Sequence, residues 1–318
     1  MPRIVILERE SVGLDVAVDQ FSELGELTVY PVSPVESITE RVRDADIIIA
    51  NKSPLNESTL KDAANVKLIC EFATGYDNVD LEYCRKRGIK VANVRNYSTA
   101  AVSQHTFALC LYILCKLRHY DEYVKSGAYA AQNNFSSFDL TFNELDGKTW
   151  GIIGMGHIGK SVAKIADAFG CRVIFFSPTG KSTCTEYQRV TFEELLKESD
   201  VLSIHCPLSD ITRGLIDYEA LKKMKSSAIL INVARGPIVK DEDLYRALCE
   251  NIIAGAGLDV NGTEPMKDSN PLSRFMDSNR LIITPHNAWA TVEARNRVVS
   301  ETYENIVAFL RGEERNLI

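Results

Sequence analysis

The chain has no apolar run near the ~20 residues that a membrane-spanning helix needs. Its first segment, MPRIVILERE, passes from a short apolar stretch straight into charge, which reads as a first strand rather than a signal peptide. The expectation is a cytoplasmic protein without a membrane partner. Positive charge is not in excess. The net charge of −7 leaves no broad basic face for nucleic acid. The eight cysteines (Cys70, Cys84, Cys110, Cys115, Cys171, Cys184, Cys206 and Cys249) include no CxxC pair, and none of the five histidines is spaced with another as metal ligands are. Reduced thiols and no metal site are expected. Repeats and low-complexity tracts are also lacking.

What is present is a stretch in the middle of the chain, Thr149–Gly170, TWGIIGMGHIGKSVAKIADAFG. A short apolar run meets Gly154-Met155-Gly156-His157-Ile158-Gly159, and an Ala-rich segment with helical spacing follows through Val162, Ile165, Ala166 and Phe169. Strand, glycine turn and helix stand in the order that a dinucleotide pyrophosphate requires. Gly154 allows the tight turn, Gly156 lets the backbone approach the phosphates, and Gly159 lets helix and strand pack closely. Free backbone N–H groups and the positive end of the helix dipole complete an anion site.

The 318 residues, 45% hydrophobic and 25% charged, suffice for two domains of ordinary size. Before the turn, strands are predicted at Ile4–Leu7, Thr28–Tyr30, Asp46–Ala50, Leu68–Phe72 and Lys90–Ala92. Helices are predicted at Asp15–Leu24, Val35–Arg43, Glu57–Ala64 and Val79–Arg87, followed by one long apolar helix over Thr99–Arg118 and a surface excursion over Lys125–Ser137. After the turn, strands are predicted at Arg172–Phe176, Val201–Ile204, Ala228–Asn232, Ile253–Gly257 and Leu281–Thr284. Helices are predicted at Phe192–Glu198, Tyr218–Lys223, Asp241–Cys249 and Val292–Leu310. This alternation predicts an α/β protein with two doubly wound parallel sheets, Rossmann-like and flavodoxin-like, and a cleft between them.

Ligands of open α/β sheets bind outside the carboxyl ends of the strands. Ala234-Arg235-Gly236 follows one predicted strand. Asp259, and then Glu264, follow the next, and Pro285-His286-Asn287-Ala288-Trp289 follows the last. A hydride-transferring nicotinamide leaves the protein to handle the proton and hold the substrate. Histidine exchanges protons near neutrality, a neighbouring carboxylate favours its charged form and fixes its tautomer, and arginine matches a substrate carboxylate with a planar fork of donors. Singly, Arg235 also fits a surface salt bridge, Glu264 an exposed loop, and His286 a helix cap. Their joint placement argues for a site. His105 and His205 read as packing or local hydrogen-bonding residues.

Seven segments together resemble the NAD(P)-dependent D-isomer-specific 2-hydroxyacid dehydrogenases: FATGYDNVD (72–80), YSTAAVSQHTFAL (97–109), the glycine turn, HCPL (205–208), INVARGPIV (231–239), GLDV…EP (257–265) and TPHNAWAT (284–291). The last of these, with Asn51-Lys52-Ser53 and Gln104-His105, looks most like the glycerate dehydrogenase/hydroxypyruvate reductase branch, although Asn287 departs from the apolar residue usual there. The resemblance implies a substrate domain of residues 1–98 plus 291–318, a dinucleotide domain of residues 99–290, and a homodimer. It implies Arg235 as substrate anchor, His286 as acid/base and Glu264 as its partner. Lys52, Thr74, Gly75 and Trp289 would meet a small 2-oxo or 2-hydroxy acid such as hydroxypyruvate, glycerate or glyoxylate. Trp289 also fits a packing or dimer role. The cofactor would lie along Gly154, Gly156, His157, Ile158 and Gly159, then Ser177, Thr179, Lys181, Cys206, Pro207, Val233, Ala234, Asp259, His286 and Ala288, with Asp259 similar to the acid that holds the nicotinamide carboxamide. Some relatives of this fold act as NAD(H)-sensing corepressors with little turnover, which is the alternative reading.

One departure concerns the cofactor. The acid that usually ends the second strand and binds the NAD ribose is replaced by Ser177, and no Asp or Glu occurs between Asp167 and Glu186. The loop Ser177-Pro178-Thr179-Gly180-Lys181-Ser182 would not repel a 2′-phosphate. Lys181 is its only cation, and no arginine stands in it. NAD and NADP are both open, with a lean to NADP.

Overall fold

A computed structural model describes residues 1–318, which fold as two compact units, Met1–Ser98 with Ala290–Ile318, and Thr99–Trp289. In the first unit β1 (Arg3–Ile6), β2 (Glu26–Val29), β3 (Ile47–Ala50), β4 (Leu68–Glu71) and β5 (Lys90–Ala92) form a parallel sheet in the order β2-β1-β3-β4-β5. Helices α1 (Val35–Val42), α2 (Glu57–Leu60) and α3 (Leu81–Arg87) cross between strands. Their ends are written in the sequence. The Asn56 side chain caps α2, the Asp80 carboxylate accepts the Tyr83 N–H at 2.9 Å to start α3, and Gly88 ends α3 at φ +71°. Ile38, Ile48, Leu55, Leu60 and Ile69 fill one face of this sheet without exposure.

The helix expected over Asp15–Leu24 is absent. Only Asp19–Glu23 forms a short 3₁₀ turn. Val16, Val18 and Phe21 are buried at a spacing no α-helix face provides. Arg9 takes the Gly13 carbonyl and the Val16 carbonyl, the second of which a helix would use, and Arg295 grips Asp15 with two bonds of 2.5 and 2.8 Å.

The second unit opens with α4 (Thr99–Leu114), α5 (Leu117–Lys125) and α6 (Ala128–Ala131). The single helix expected over Thr99–Arg118 is thus broken. Lys116 adopts φ +53°, a left-handed conformation that stops the first helix, and its ammonium reaches the Asn279 carbonyl at 3.4 Å. Strands β6 (Thr149–Ile153), β7 (Arg172–Phe176), β8 (Gln188–Arg189), β9 (Val201–Ile204), β10 (Ile229–Asn232), β11 (Gly255–Leu258) and β12 (Leu281–Ile283) pair in parallel in the order β12-β11-β10-β9-β6-β7-β8. Helices α7 (His157–Ala168), α8 (Phe192–Glu198), α9 (Tyr218–Lys222) and α10 (Asp241–Cys249) connect them, and α11 (Val292–Leu310) closes the chain in the first unit. Trp150, fully buried, donates its indole N–H to Ser203 Oγ at 2.9 Å and stacks on Phe107 of α4 at 4.5 Å between ring centroids. Strand order reverses between β6 and β9, the switch point where dinucleotides bind in such sheets. No single helix is long and apolar enough to cross a membrane.

Candidate active site

At the carboxyl end of β6 the chain turns through Gly154 at φ +94°. A Cβ there would stand 2.8 Å from the Cys206 nitrogen, and one on Gly159 would stand 2.2 Å from the Gly154 carbonyl oxygen, so both positions require glycine. Gly156 differs. A Cβ on it would meet nothing within 4 Å, so the space above the first turn of α7 is open. No side chain caps that helix. An open cradle over an uncapped twelve-residue helix suits a pyrophosphate, which the backbone of Gly156, His157, Ile158 and Gly159 could hold. The His157 side chain is exposed, and Ile158 packs on the core. Cys206, at the end of β9, is buried, which pushes its thiol up to about 12. Pro207 accepts the Thr212 hydroxyl at 2.8 Å.

Arg235 follows β10. Asn232, fully buried at the strand end, braces its turn, donating to the Arg235 carbonyl at 3.0 Å and accepting the Ala234 N–H at 3.1 Å. The guanidinium donates to the Ala234 carbonyl at 2.8 Å. Val233 is buried beneath. The next residue, Gly236, lies so close to the segment that carries Glu264 that a Cβ on it would stand 1.7 Å from the Asn261 oxygen.

Glu264 and His286 meet directly. Glu264 Oε2 lies 2.6 Å from His286 Nδ1, while Oε1 accepts the Asn261 N–H at 3.1 Å. An ionised carboxylate has no proton to give, so Nδ1 is the donor to Glu264. The two side chains are 33% and 23% exposed, so neither is sealed in the core. His286 adopts φ +54°, an unusual backbone for a residue with a Cβ.

Asp259 fixes that backbone. Its carbonyl accepts the His286 N–H at 2.8 Å. Its carboxylate accepts the Asn287 and Ala288 N–H groups at 3.0 and 2.9 Å and the Thr284 hydroxyl at 2.5 Å. Only 1% exposed, Asp259 has both oxygens engaged within the protein. The nicotinamide role implied by resemblance thus meets a carboxylate already committed to positioning the His286 loop. His105 Nε2 joins from α4 at 2.9 Å from the Thr284 hydroxyl, the local bonding read for it from sequence. His205 has both ring nitrogens buried without a partner, and burial pushes it down to about 3. Trp289 is half-buried and packs on the core cluster that includes Trp150 and Ala288. Lys52, Thr74 and Gly75 belong to the first unit. There Glu8 accepts the Asn51 and Lys52 N–H groups, and the exposed Thr74 donates its hydroxyl to the Val94 carbonyl at 2.6 Å.

Sequence reasoning missed Asn232 and Arg189. The first was hidden inside an apolar strand. Arg189, exposed on β8, donates from Nη1 to the Gly180 carbonyl at 3.0 Å, so an arginine does stand at the Ser177–Ser182 loop, brought there from a neighbouring strand. Ser177 itself is buried at the end of β7.

A glycine turn at the switch point, with an imidazole–carboxylate pair and a braced arginine at nearby strand ends, defines a nicotinamide-dependent oxidoreductase. Residues 107–288 match the family model described as D-isomer specific 2-hydroxyacid dehydrogenase, NAD binding domain. The chain belongs to that family. It is 37% identical over 302 residues to a hydroxypyruvate reductase of Blautia hydrogenotrophica (93% of this chain, 92% of the relative). It is 39% identical over 317 residues to a glycerate dehydrogenase of Methylorubrum extorquens (99% and 98%). Among solved structures it is similar to an acyclic imino acid reductase in complex with NADPH and D-Arg, at TM-score 0.89 and 30% identity, covering 99% of both chains.

Proposed function

We propose that this protein reduces a small 2-oxo acid, hydroxypyruvate or glyoxylate, and oxidises the matching 2-hydroxy acid, D-glycerate or glycolate, in reverse. The observation that carries this reading is the 2.6 Å His286–Glu264 pair, mounted beside the Arg235 turn. Similarity to a hydroxypyruvate reductase and a glycerate dehydrogenase supports the substrate class.

The cofactor supplies a hydride at its nicotinamide ring. The glycine turn and α7 would hold the pyrophosphate. Ser177, Thr179 and Lys181 would hold the adenosine ribose, with Cys206 and Pro207 beside the adenosine. Val233, Ala234, Asp259 and Ala288 would border the nicotinamide. Arg235 binds the substrate carboxylate and polarises the 2-carbonyl. His286, charged beside Glu264, gives the proton from Nε2 to the carbonyl oxygen. In the oxidative direction neutral His286 takes that proton back. Lys52, Thr74, Gly75 and Trp289 are assigned to the substrate by resemblance.

The absence of an acid at Ser177 supports NADP over NAD. A homodimer is supported by the aromatic segment after α6, where Phe135 and Phe138 are 93% and 89% exposed and Phe142 is 53% exposed. Sedimentation of the purified protein reads that state. A panel of 2-oxo acids with NADH and NADPH, run on wild type and His286→Ala, tests the whole reading. Replacing His286 should lower kcat by about 10²–10⁴ while cofactor binding persists. Full turnover by His286→Ala would overturn the assignment, and no turnover by wild type with any acid would favour a dinucleotide sensor.

A further inference from the structure

The end of β7 lacks the expected acid, and the neighbouring strand supplies an unforeseen cation. β8 pairs in parallel with β7, placing Arg189 opposite Phe175, two residues before Ser177, and the Val190 N–H donates to the Phe175 carbonyl at 2.9 Å. Because the strands run in the same direction, Arg189 emerges at the carboxyl end of the sheet, the side on which ligands bind. The loop it meets is a tight turn. The Gly180 N–H donates to the Ser177 carbonyl at 3.0 Å, and Gly180 takes φ +72°.

Arg189 spends one N–H of its guanidinium on the Gly180 carbonyl. No carboxylate pairs with it or with Lys181, and both side chains are exposed. The tether holds a planar fork of donors over the turn and leaves its other N–H groups for a ligand. A permanently charged fork, a second cation one residue beyond the turn and the hydroxyls of Thr179 and Ser182 are complementary to a phosphate monoester.

We infer that Arg189 is the anchor for the 2′-phosphate of NADP(H), reached from the edge strand β8 rather than from the loop after β7. The inference rests on the NADP reading and assigns the residue that enforces it. Lys181 is the secondary contact.

Titration calorimetry with NADPH, NADH, 2′,5′-ADP and 5′-AMP tests it on wild type, Arg189→Ala and Arg189→Lys, with no turnover required. The fragments differ only in the 2′-phosphate. Arg189→Ala should weaken NADPH and 2′,5′-ADP by about 10- to 100-fold, the loss of a hydrogen bond between charged groups. NADH and 5′-AMP should bind as before, and Arg189→Lys should recover part of the loss. Unchanged binding of 2′,5′-ADP to Arg189→Ala would overturn the proposal. Equal loss for all four ligands would overturn it too, because Arg189 would then only staple the loop. Tighter binding of NADH than NADPH by wild type would reject the NADP reading separately. The anchor would stand if Arg189→Ala still weakened 2′,5′-ADP selectively.

Discussion

Asp259 holds His286 by its backbone and not by its ring. The Asp259 carbonyl accepts the His286 N–H at 2.8 Å, and the carboxylate takes the two amides that follow. A left-handed His286 at φ +54° is the result, with its imidazole turned to Glu264. The proposed proton transfer would depend on where the ring stands, and a buried acid fixes the backbone that carries it.

Asp259→Ala would leave the Asn287 and Ala288 N–H groups unmet in a site only 1% exposed and strip the Thr284 hydroxyl of its shorter bond. Each unmet donor costs about 1–3 kcal/mol. Urea unfolding should show a loss of several kcal/mol, and kcat should fall because His286 is no longer held. Asp259→Asn should fall between wild type and alanine, since its amide oxygen can still accept. An alanine variant with wild-type stability and kcat would refute the scaffold role.

Glu264→Gln sets an amide against both the Asn261 N–H and His286 Nδ1. The oxygen can serve only one. If it takes Asn261, the amide nitrogen donates to Nδ1 and locks the proton on Nε2. Such a ring neither becomes charged readily nor accepts a proton at Nε2. Reduction and oxidation should both slow, by about tenfold or more, with cofactor affinity kept. Unaltered kcat in both directions counts against the pairing.

Gly236→Ala places a methyl group 1.7 Å from where the Asn261 oxygen stands. The segment bearing Glu264 must move away from the Arg235 turn. Overpacking of this kind costs about 1–3 kcal/mol. A lowered unfolding midpoint with a lower kcat/KM is expected. Retention of both would show that the two segments slide freely.

Glu71 lies at the end of β4 without exposure, with Oε1 bonded to Asn78 at 3.2 Å and Oε2 unpartnered. Burial pushes its carboxyl up to about 8, with nearby Glu8 raising it and the Asn78 bond and Lys52 lowering it. In the unfolded chain the group ionises near 4.5, so between these values only the folded protein keeps the proton. Stability from this group is full below about 4.5 and is lost as pH rises towards about 8, on the order of a few kcal/mol. Glu71→Gln mimics the protonated form and should flatten that part of the profile. Parallel urea curves from pH 5 to 9 check it. An equal slope in both proteins would mean that Glu71 is ionised throughout.

The sheets were legible because buried parallel strands such as Ile47–Ala50 and Ile229–Asn232 are continuous apolar runs between turn signals. The strand ends marked His286 and Glu264 as candidates, and their pairing was legible through the resemblance of the segments that carry them. The Asp15–Leu24 segment departs from its periodicity because two side chains, the nearby Arg9 and the distant Arg295, decide its path. β8 was invisible because Gln188 and Arg189 carry no apolar pattern, and only pairing with β7 makes them a strand. Arg189 was therefore counted out of a loop that it reaches through space. The resemblance marked Asp259 as a cofactor contact; its bonds to the Asn287 and Ala288 amides were not legible, because sequence does not show which backbone groups a carboxylate holds.

The seven-stranded sheet has two margins, β12 and β8. His286 follows one margin, and Arg189 lies on the other. Under the proposed roles, changes to the 2′-phosphate contacts and changes to the acid/base pair fall at opposite edges of one sheet, and they should combine additively.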